Sequence, residues 1–436
     1  MVRAPPLRAL PPFPPLPAER PRSPSPMSND KDRALHIAHF VNLGQVGGVE
    51  SRMLSVARRL HPDRKHAGIV LTDHLHPQWF SQWPAEGLIR RPQKRWGPLR
   101  LPEGGWIHRQ LLRSRLRQER QPDIALLWGL FPTSKVLNAL RVEKLPICYM
   151  ECGSAWRSKP GGRLAEGIWQ VDQIITNSNA SKRMLQLGWG LDEKATVLLN
   201  PLRPEAAPPE PRAAGPRNPD APLRLGLVGR CLPFKGFELA LHAVRLLRDQ
   251  GVRLTVALAG DGPERPHLEE LAAELGLGET IRFRGNVTDM TAFYRELDLF
   301  VCPSLREPFG LVSLEAQSWG VPVIVAGIDG LPETVHDGTT GTVVPPELPP
   351  STLGDYGIAT VRLPRWVYDP RTDALVAPHG VAPATLAAAI RSYAEDEPRR
   401  QAHGTAASQW AFQHFHIDGY VARLSALLRS IAPGTR

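Results

Sequence analysis

The chain has 436 residues, with 53 Lys and Arg against 43 Asp and Glu, a net charge of +10, and 42% hydrophobic residues. That length suggests two or three domains with sizeable cores, and no apolar run reaches the roughly 18 residues of a helical membrane span. The four cysteines, at 148, 152, 231 and 302, have no metal-ligand spacing and point to reduced thiols rather than a disulfide framework.

Residues 1–26, MVRAPPLRALPPFPPLPAERPRSPSP, are too proline-rich to build a core, and the expectation is a disordered tail over 1–33 with translation starting at Met27. Leu35 to Val41 is an apolar run of strand length, and NLGQVGGVE leads from it into a helix through Leu60 with Met53, Leu54 and Ala57 on one side. Gly47 and Gly48 therefore fall between the carboxyl end of a strand and a helix start, where backbone amides can approach an anion; a plain tight turn is the alternative. Further strands are expected at Gly68 to Thr72, Asp123 to Trp128, Pro146 to Glu151 and Gln173 to Asn177, with helical stretches between, the pattern of a parallel doubly wound sheet. Arg90 to Arg120 holds ten Lys or Arg against two acids. Arg109, Arg113, Arg117 and Arg120 recur there at helical spacing, which suits a solvated basic face or a dock for an anionic membrane surface or a phosphorylated acceptor. Nothing accompanying that charge resembles a nucleic-acid fold, so nucleic acid is not an expected partner.

Residues 201–222, PLRPEAAPPEPRAAGPRNPDAP, read as a linker. They divide a domain at 34–203 from one at 223–415, with the linker proper at 204–222 and a last helix within 416–436. In the second domain Leu223 to Val228 is a strand, followed by helix 236–250, strand 252–259, helix 264–275, strand 280–284 and helix 289–296. Arg230 and Lys235 lie on the loop after the first of these strands, between Gly229 and Gly236. Leu299 to Cys302 is the next strand; the chain breaks at Pro303 and resumes as a helix with Leu311, Leu314 and Ser318 on one face. Glu307 then sits in the loop and Glu315 one turn inside the helix. The free amides near Phe309, Gly310 and Leu311 favour hydroxyls or phosphate oxygens. After the strand at Val321 to Ala326, Glu333 marks another helix start. Residues 347–380 look like an insertion whose Trp366 and Tyr368 are packing aromatics or acceptor-lining ones. Leu386 to Tyr393 and Tyr420 to Leu428 have helical apolar periodicity.

The strings GLVGRCLPFKG (226–236), AGDGPE (259–264), RFRGNV (282–287) and EPFGLVSLE (307–315), taken together, resemble the nucleotide-side motifs of glycosyltransferase family 4, retaining enzymes of the GT-B fold. The likeness is dense over about 223–346 and sparser over 34–203, where GGVE is similar to the family's first loop. It implies an α/β fold of two Rossmann-like doubly wound domains facing each other across a cleft. By this resemblance Arg230 and Lys235 would neutralise a diphosphate, and Glu307 would contact the donor sugar. Glu315 would accept the ribose hydroxyls, and Phe309 to Leu311 would offer amides. Gly47, Gly48 and Gly229 would approach the donor, and Arg284 with Val287 would flank the base. The family commonly places a histidine where Cys152 stands, and Glu151 or Ser154 are the alternative polar groups on that sugar-facing loop. The last helix is expected to return to the first domain, with Trp410 to Phe415 turning the corner.

The resemblance further implies a nucleotide diphosphate sugar as donor, UDP-linked, with no cofactor and no metal. The acceptor would be a cell-surface glycan or glycolipid precursor such as lipopolysaccharide, and the setting cytoplasmic or at the inner face of the membrane. A sugar-binding GT-B protein without turnover, or a GT-B epimerase or phosphorylase, is the alternative.

Overall fold

The computed structural model describes residues 35–43, 47–60, 122–129, 137–203 apart from 139, 142, 157–164 and 192–193, and all of 221–432. Between 61 and 121 it describes only 67–70, 76, 88–90, 95–96, 99–100, 110 and 114. The tail over 1–33, most of the linker at 204–222 and nearly all of the basic segment Arg90 to Arg120 lie outside the described residues.

Among the described residues two parallel sheets carry the fold. The first holds β1 (Ile37–Val41), β2 (Ala67–Val70), β3 (Leu88–Arg90), β6 (Ile124–Trp128), β7 (Ile147–Glu151), β8 (Gln173–Thr176) and β9 (Ala195–Val197) in the order β3-β2-β1-β6-β7-β8-β9. A two-residue antiparallel pair, β4 (Arg95–Trp96) with β5 (Leu99–Arg100), stands outside it. The second sheet holds β10 (Leu223–Val228), β11 (Leu254–Ala259), β12 (Ile281–Gly285), β13 (Leu299–Cys302), β14 (Val323–Ala326) and β15 (Gly341–Val344) in the order β12-β11-β10-β13-β14-β15. In each sheet the strand order reverses beside the first strand, at β1/β6 and at β10/β13, and such reversals open a crevice at the carboxyl edge. The central strands β1, β6 and β7 are buried at every position, as continuous apolar runs require when helices cover both faces.

The helices described over their length are α1 (Gly48–Leu60), α2 (Ala165–Ile168), α3 (Asn179–Trp189), α4 (Phe237–Asp249), α5 (Arg265–Glu274), α6 (Met290–Arg295), α7 (Leu311–Ser318), α8 (Pro383–Ala394), α9 (Glu397–Phe415) and α10 (Ile417–Ile431). Trp410 to Phe415 does not turn the final corner; those residues continue α9, and the chain turns at His416, whose backbone is extended. Beyond that turn Tyr420, Val421, Leu424 and Leu428 of α10 join Met53, Leu54 and Ala57 of α1 in the first-domain core. The segment expected as an insertion forms two 3-10 turns, Pro350–Tyr356 and Thr360–Arg362, and a hairpin of β16 (Val367–Asp369) with β17 (Ala374–Val376). Tyr368 is 9% exposed and packs, whereas Trp366 is 42% exposed. The hairpin turn sends Asp373 to Arg183 of α3, with both carboxylate oxygens bonded at 2.8 and 2.7 Å.

Candidate active site

The loops after β10, β11 and β13 meet because glycines allow it. A Cβ at Gly260 would collide with the Gly229 carbonyl, and one at Gly236 (φ +64) with the Pro303 carbonyl, so the three loops close on each other only without those side chains. The 3-10 turn Pro233–Lys235 is tied to the loop after β13 by the Leu305 amide donating to Phe234 at 2.9 Å. Lys235 is thereby aimed at Glu307, and its ammonium lies 2.5 Å from the carboxylate, each side chain 15% exposed. Burial draws the Lys235 ammonium down, but the Glu307 charge outweighs it and the pKa stands above the usual value. Arg230, five residues earlier, is exposed and has no ion pair among the described residues, so it faces solvent at the rim.

A second carboxylate fixes the loop that carries Glu307. Asp329, 1% exposed and held at φ +49, accepts the Glu307 amide at 2.9 Å, the Tyr368 amide at 2.7 Å and the Trp156 indole N–H of the first domain at 3.1 Å. Burial pushes its pKa up to about 7 against those three donors. Arg306 spans the cleft beside it, stacked 4.9 Å over Phe234 and donating to the Gly153 carbonyl at 3.0 Å.

Glu315 is not an exposed helix residue. Its side chain is 4% exposed, 2.9 Å from Arg203 Nε, and it accepts the Tyr294 hydroxyl at 3.0 Å. Each oxygen keeps acceptor capacity for a hydroxyl. Phe309 is 2% exposed and packs with Leu202, Leu314, Ala411 and Phe415, which leaves its backbone as its means of touching a ligand. Gly310 caps α7 at φ +98 and Leu311 opens the helix. Arg284 is exposed and paired with Glu296 at 3.3 Å, while Val287 packs half-buried against the core.

On the first-domain side, Gly47 precedes α1 and Gly48 opens it at the strand-order reversal, beside the loop after β6, where Gly129 lies against Val49. Cys152 follows β7 half-buried, and Arg52 of α1 donates to its sulfur at 2.6 Å. Glu151 and Ser154, the alternative polar groups of that loop, are both hydrogen-bonded locally. The Glu151 carboxylate is fully buried and accepts the Gly153 amide at 2.6 Å, the Ala155 amide at 3.1 Å and the Tyr149 hydroxyl at 2.9 Å. The Ser154 hydroxyl donates to the Gly129 carbonyl at 2.7 Å. Glu151 shapes its own loop, because a buried carboxylate needs its lone pairs filled locally, and Ser154 ties that loop to the one after β6.

The two halves touch at the cleft floor. Glu333, within the 3-10 turn Leu331–Thr334 rather than at an α-helix start, accepts the Asn179 amide, the Asn179 side-chain N–H and the Ala180 amide, all at 2.8 Å. It places a carboxylate of the second domain on the N-terminus of α3. Ser178, the cap of that helix, donates to the Pro308 carbonyl at 2.6 Å. The structure thus brings Lys235, Glu307, Gly229, Gly310 and Glu315 to one carboxyl edge and sets the loops at Gly47 and Cys152 on the facing one. Asp329, Trp156, Arg203 and Arg306 were not singled out from the sequence; for Asp329 the only local signal is its place between glycines in GIDG. Among the described residues no group of three His, Cys, Asp or Glu is placed to hold a metal ion.

Residues 46–206 match the model described as Glycosyltransferase Family 4, and residues 222–355 the one described as Glycosyl transferases group 1. Among curated proteins, the D-inositol 3-phosphate glycosyltransferase of Streptomyces bingchenggensis is 35% identical over 195 residues, 41% of this chain and 43% of that protein. The protein of the same name from Corynebacterium efficiens is 41% identical over 129 residues, 28% of this chain and 30% of its own length. The chain spans less than half the length of the curated relatives it matches. Among solved structures, Anabaena HepE in complex with UDP and glucose superposes with a TM-score of 0.68 at 19% identity, covering 91% of this chain and 100% of that one. WaaG, a glycosyltransferase involved in lipopolysaccharide biosynthesis, superposes with a TM-score of 0.61 at 14% identity over 90% of this chain and 99% of that one.

Proposed function

This chain belongs to the GT-B glycosyltransferases, a family 4 domain joined to a group 1 domain, and from that premise we propose that it moves a sugar from a UDP-sugar to an acceptor hydroxyl with retention of anomeric configuration. The observation that carries the reading is the Lys235–Glu307 pair at 2.5 Å, set where the order of the second sheet reverses and facing the loops of the first. In the reaction we propose, the anomeric carbon–oxygen bond to the diphosphate breaks, and the acceptor oxygen bonds to the same carbon from the same face. The acceptor proton passes to the departing phosphate oxygen. Lys235 acts on the diphosphate, where negative charge grows as the bond breaks, so its hold is strongest in the transition state. Arg230, exposed at the rim of the same loop, is the second cation that a diphosphate reaches. Diphosphate entry takes Lys235 from Glu307 and frees that carboxylate for the sugar. Glu315, Gly310, Leu311 and the glycines at 47, 48 and 229 complete the donor pocket in this proposal, with Arg284 and Val287 at the base. Metal independence belongs to the same proposal.

The acceptor we read as a cell-surface glycan or glycolipid precursor of the lipopolysaccharide kind, supported by the likeness to WaaG. The names of the curated relatives support a second acceptor, a small phosphorylated polyol. No described helix is long and apolar enough to cross a membrane. A panel of UDP-, GDP- and ADP-sugars, read by thermal shift and by release of free nucleotide with and without EDTA, tests the reading. A UDP-sugar that both stabilises the protein and is turned over in EDTA supports it. Binding without turnover of any donor would make the chain a sugar-nucleotide-binding protein instead.

A further inference from the structure

On the first-domain side of the cleft a guanidinium is buried without a counter-ion. Arg52, on α1 one turn beyond Gly48, is 6% exposed, and no Asp or Glu pairs with it among the described residues. Its surroundings are the Cys152 sulfur at 2.6 Å and the face of Trp128, with the ring centroid 5.6 Å away. Tyr420, brought in by α10 from the far end of the chain, is 1% exposed and within electrostatic reach of both Arg52 and Cys152. Arg52 Nε and the Tyr420 hydroxyl are buried with no hydrogen-bond partner among the described residues.

Neither neighbour balances the charge. Burial, with the Glu151 and Glu50 carboxylates within electrostatic reach of the sulfur, raises the Cys152 thiol above its ordinary value in spite of Arg52, and burial pushes the Tyr420 phenol up to about 12, so both are neutral near pH 7. Neither carboxylate pairs with Arg52 among the described residues. A guanidinium stays protonated throughout that range. A buried cation with neutral neighbours and two idle donors is costly to a fold unless an anion joins it. The cluster adjoins the cleft: Cys152 is half-buried, and Gly153 after it meets Arg306 and Pro308 of the second domain.

We propose that Arg52, Tyr420 and Cys152 form an oxyanion subsite that holds a phosphate or carboxylate group carried by the sugar acceptor. The carrier's identity rests on the glycosyltransferase reading; the subsite does not. An oxyanion there takes the Arg52 Nε–H and the Tyr420 O–H, and it displaces the thiol, a weak acceptor, from the guanidinium.

Alkylation of Cys152 by iodoacetamide in the full chain, followed by peptide mass spectrometry, reads the subsite without any turnover. Inorganic phosphate or acetate is expected to slow Cys152 labelling several-fold and saturably, the stronger probe naming the group, whereas chloride at equal ionic strength leaves it unchanged. Arg52→Gln is expected to abolish the protection and Arg52→Lys to weaken it. Should Arg52→Gln fail to fold, weakened protection in Arg52→Lys decides in favour and undiminished protection decides against. Equal labelling with and without phosphate and acetate, protection by chloride, or protection that survives in folded Arg52→Gln overturns the subsite. Protection by UDP at lower concentration than by phosphate assigns the cluster to the donor and overturns the acceptor assignment. Loss of transferase activity as a whole, with protection intact, would count against the proposed function and leave the subsite standing.

Discussion

Asp329 joins the loop of Glu307 to the first domain through one carboxylate, and its burial makes that joint sensitive to pH. An ordinary aspartate titrates near 3.9, whereas this one stands at about 7, so between those values the folded state holds a proton that the unfolded chain has released. Its contribution to stability is therefore complete below about pH 4 and is lost as the pH rises through about 7, an effect on the order of a few kcal/mol. Asn at this position mimics the neutral acid and tolerates the positive φ. Urea unfolding of wild type is thus expected to weaken between about pH 5 and pH 8 by more than that of Asp329→Asn; parallel pH profiles would contradict this. The same substitution sets an amide N–H against the Glu307 amide and is expected to lower kcat more than it alters UDP affinity. The loop positions of Lys235 and Glu307 were legible in the sequence because each loop is punctuated by glycine and proline at a strand's carboxyl end, whereas their proposed roles came with the family resemblance. The local bonding of Glu151 was not legible, since a sequence does not tell whether a carboxylate at a strand end turns outward or fills its lone pairs with its own loop.

Among the elements, strands were legible wherever an apolar run was long enough, and the ends of β10, β11 and β13 fall close to where that pattern puts them. The three-residue strand β9 lacks the length to show, and β15 is half-buried at two of its four positions, which blurs its apolar pattern. Helix α9 was missed because EPRRQAHGTAASQWAFQHF has little one-sided periodicity and carries Gly404 in its interior. That glycine lets the helix approach the chain after α7, since a Cβ there would strike the Gly320 carbonyl. The contact between Glu333 and α3 was equally hidden, because its partners lie 153 and 154 positions away. Glu333 fills three N–H groups at a helix N-terminus, so Glu333→Gln is expected to cost about 1–2 kcal/mol in chemical denaturation. It is also expected to widen the cleft by small-angle scattering; an unchanged radius of gyration and unchanged midpoint would show that the contact holds nothing.

At the scale of the molecule, the pair of doubly wound sheets was legible from alternating strand and helix patterns across a proline-rich divide. The way the halves grip each other was not, because Arg183 with Asp373, Ser178 with Pro308 and Trp156 with Asp329 each join positions more than a hundred residues apart in the chain. The last helix ties the whole together. Leu424 is fully buried in the first-domain core beside Met53 and Leu54, so Leu424→Ala is expected to lose about 2–5 kcal/mol, read as a lower urea midpoint. A loss below about 0.5 kcal/mol, as at a surface site, would show that α10 does not complete that core. The central claim is that a sugar leaves its diphosphate beside Lys235 and Glu307. Its most direct test is the rate of UDP release from a turned-over UDP-sugar by wild type and by Glu307→Gln, with UDP affinity measured alongside. The account predicts a fall in turnover of about 100-fold or more while UDP still binds; Glu307→Gln working at the wild-type rate would contradict it.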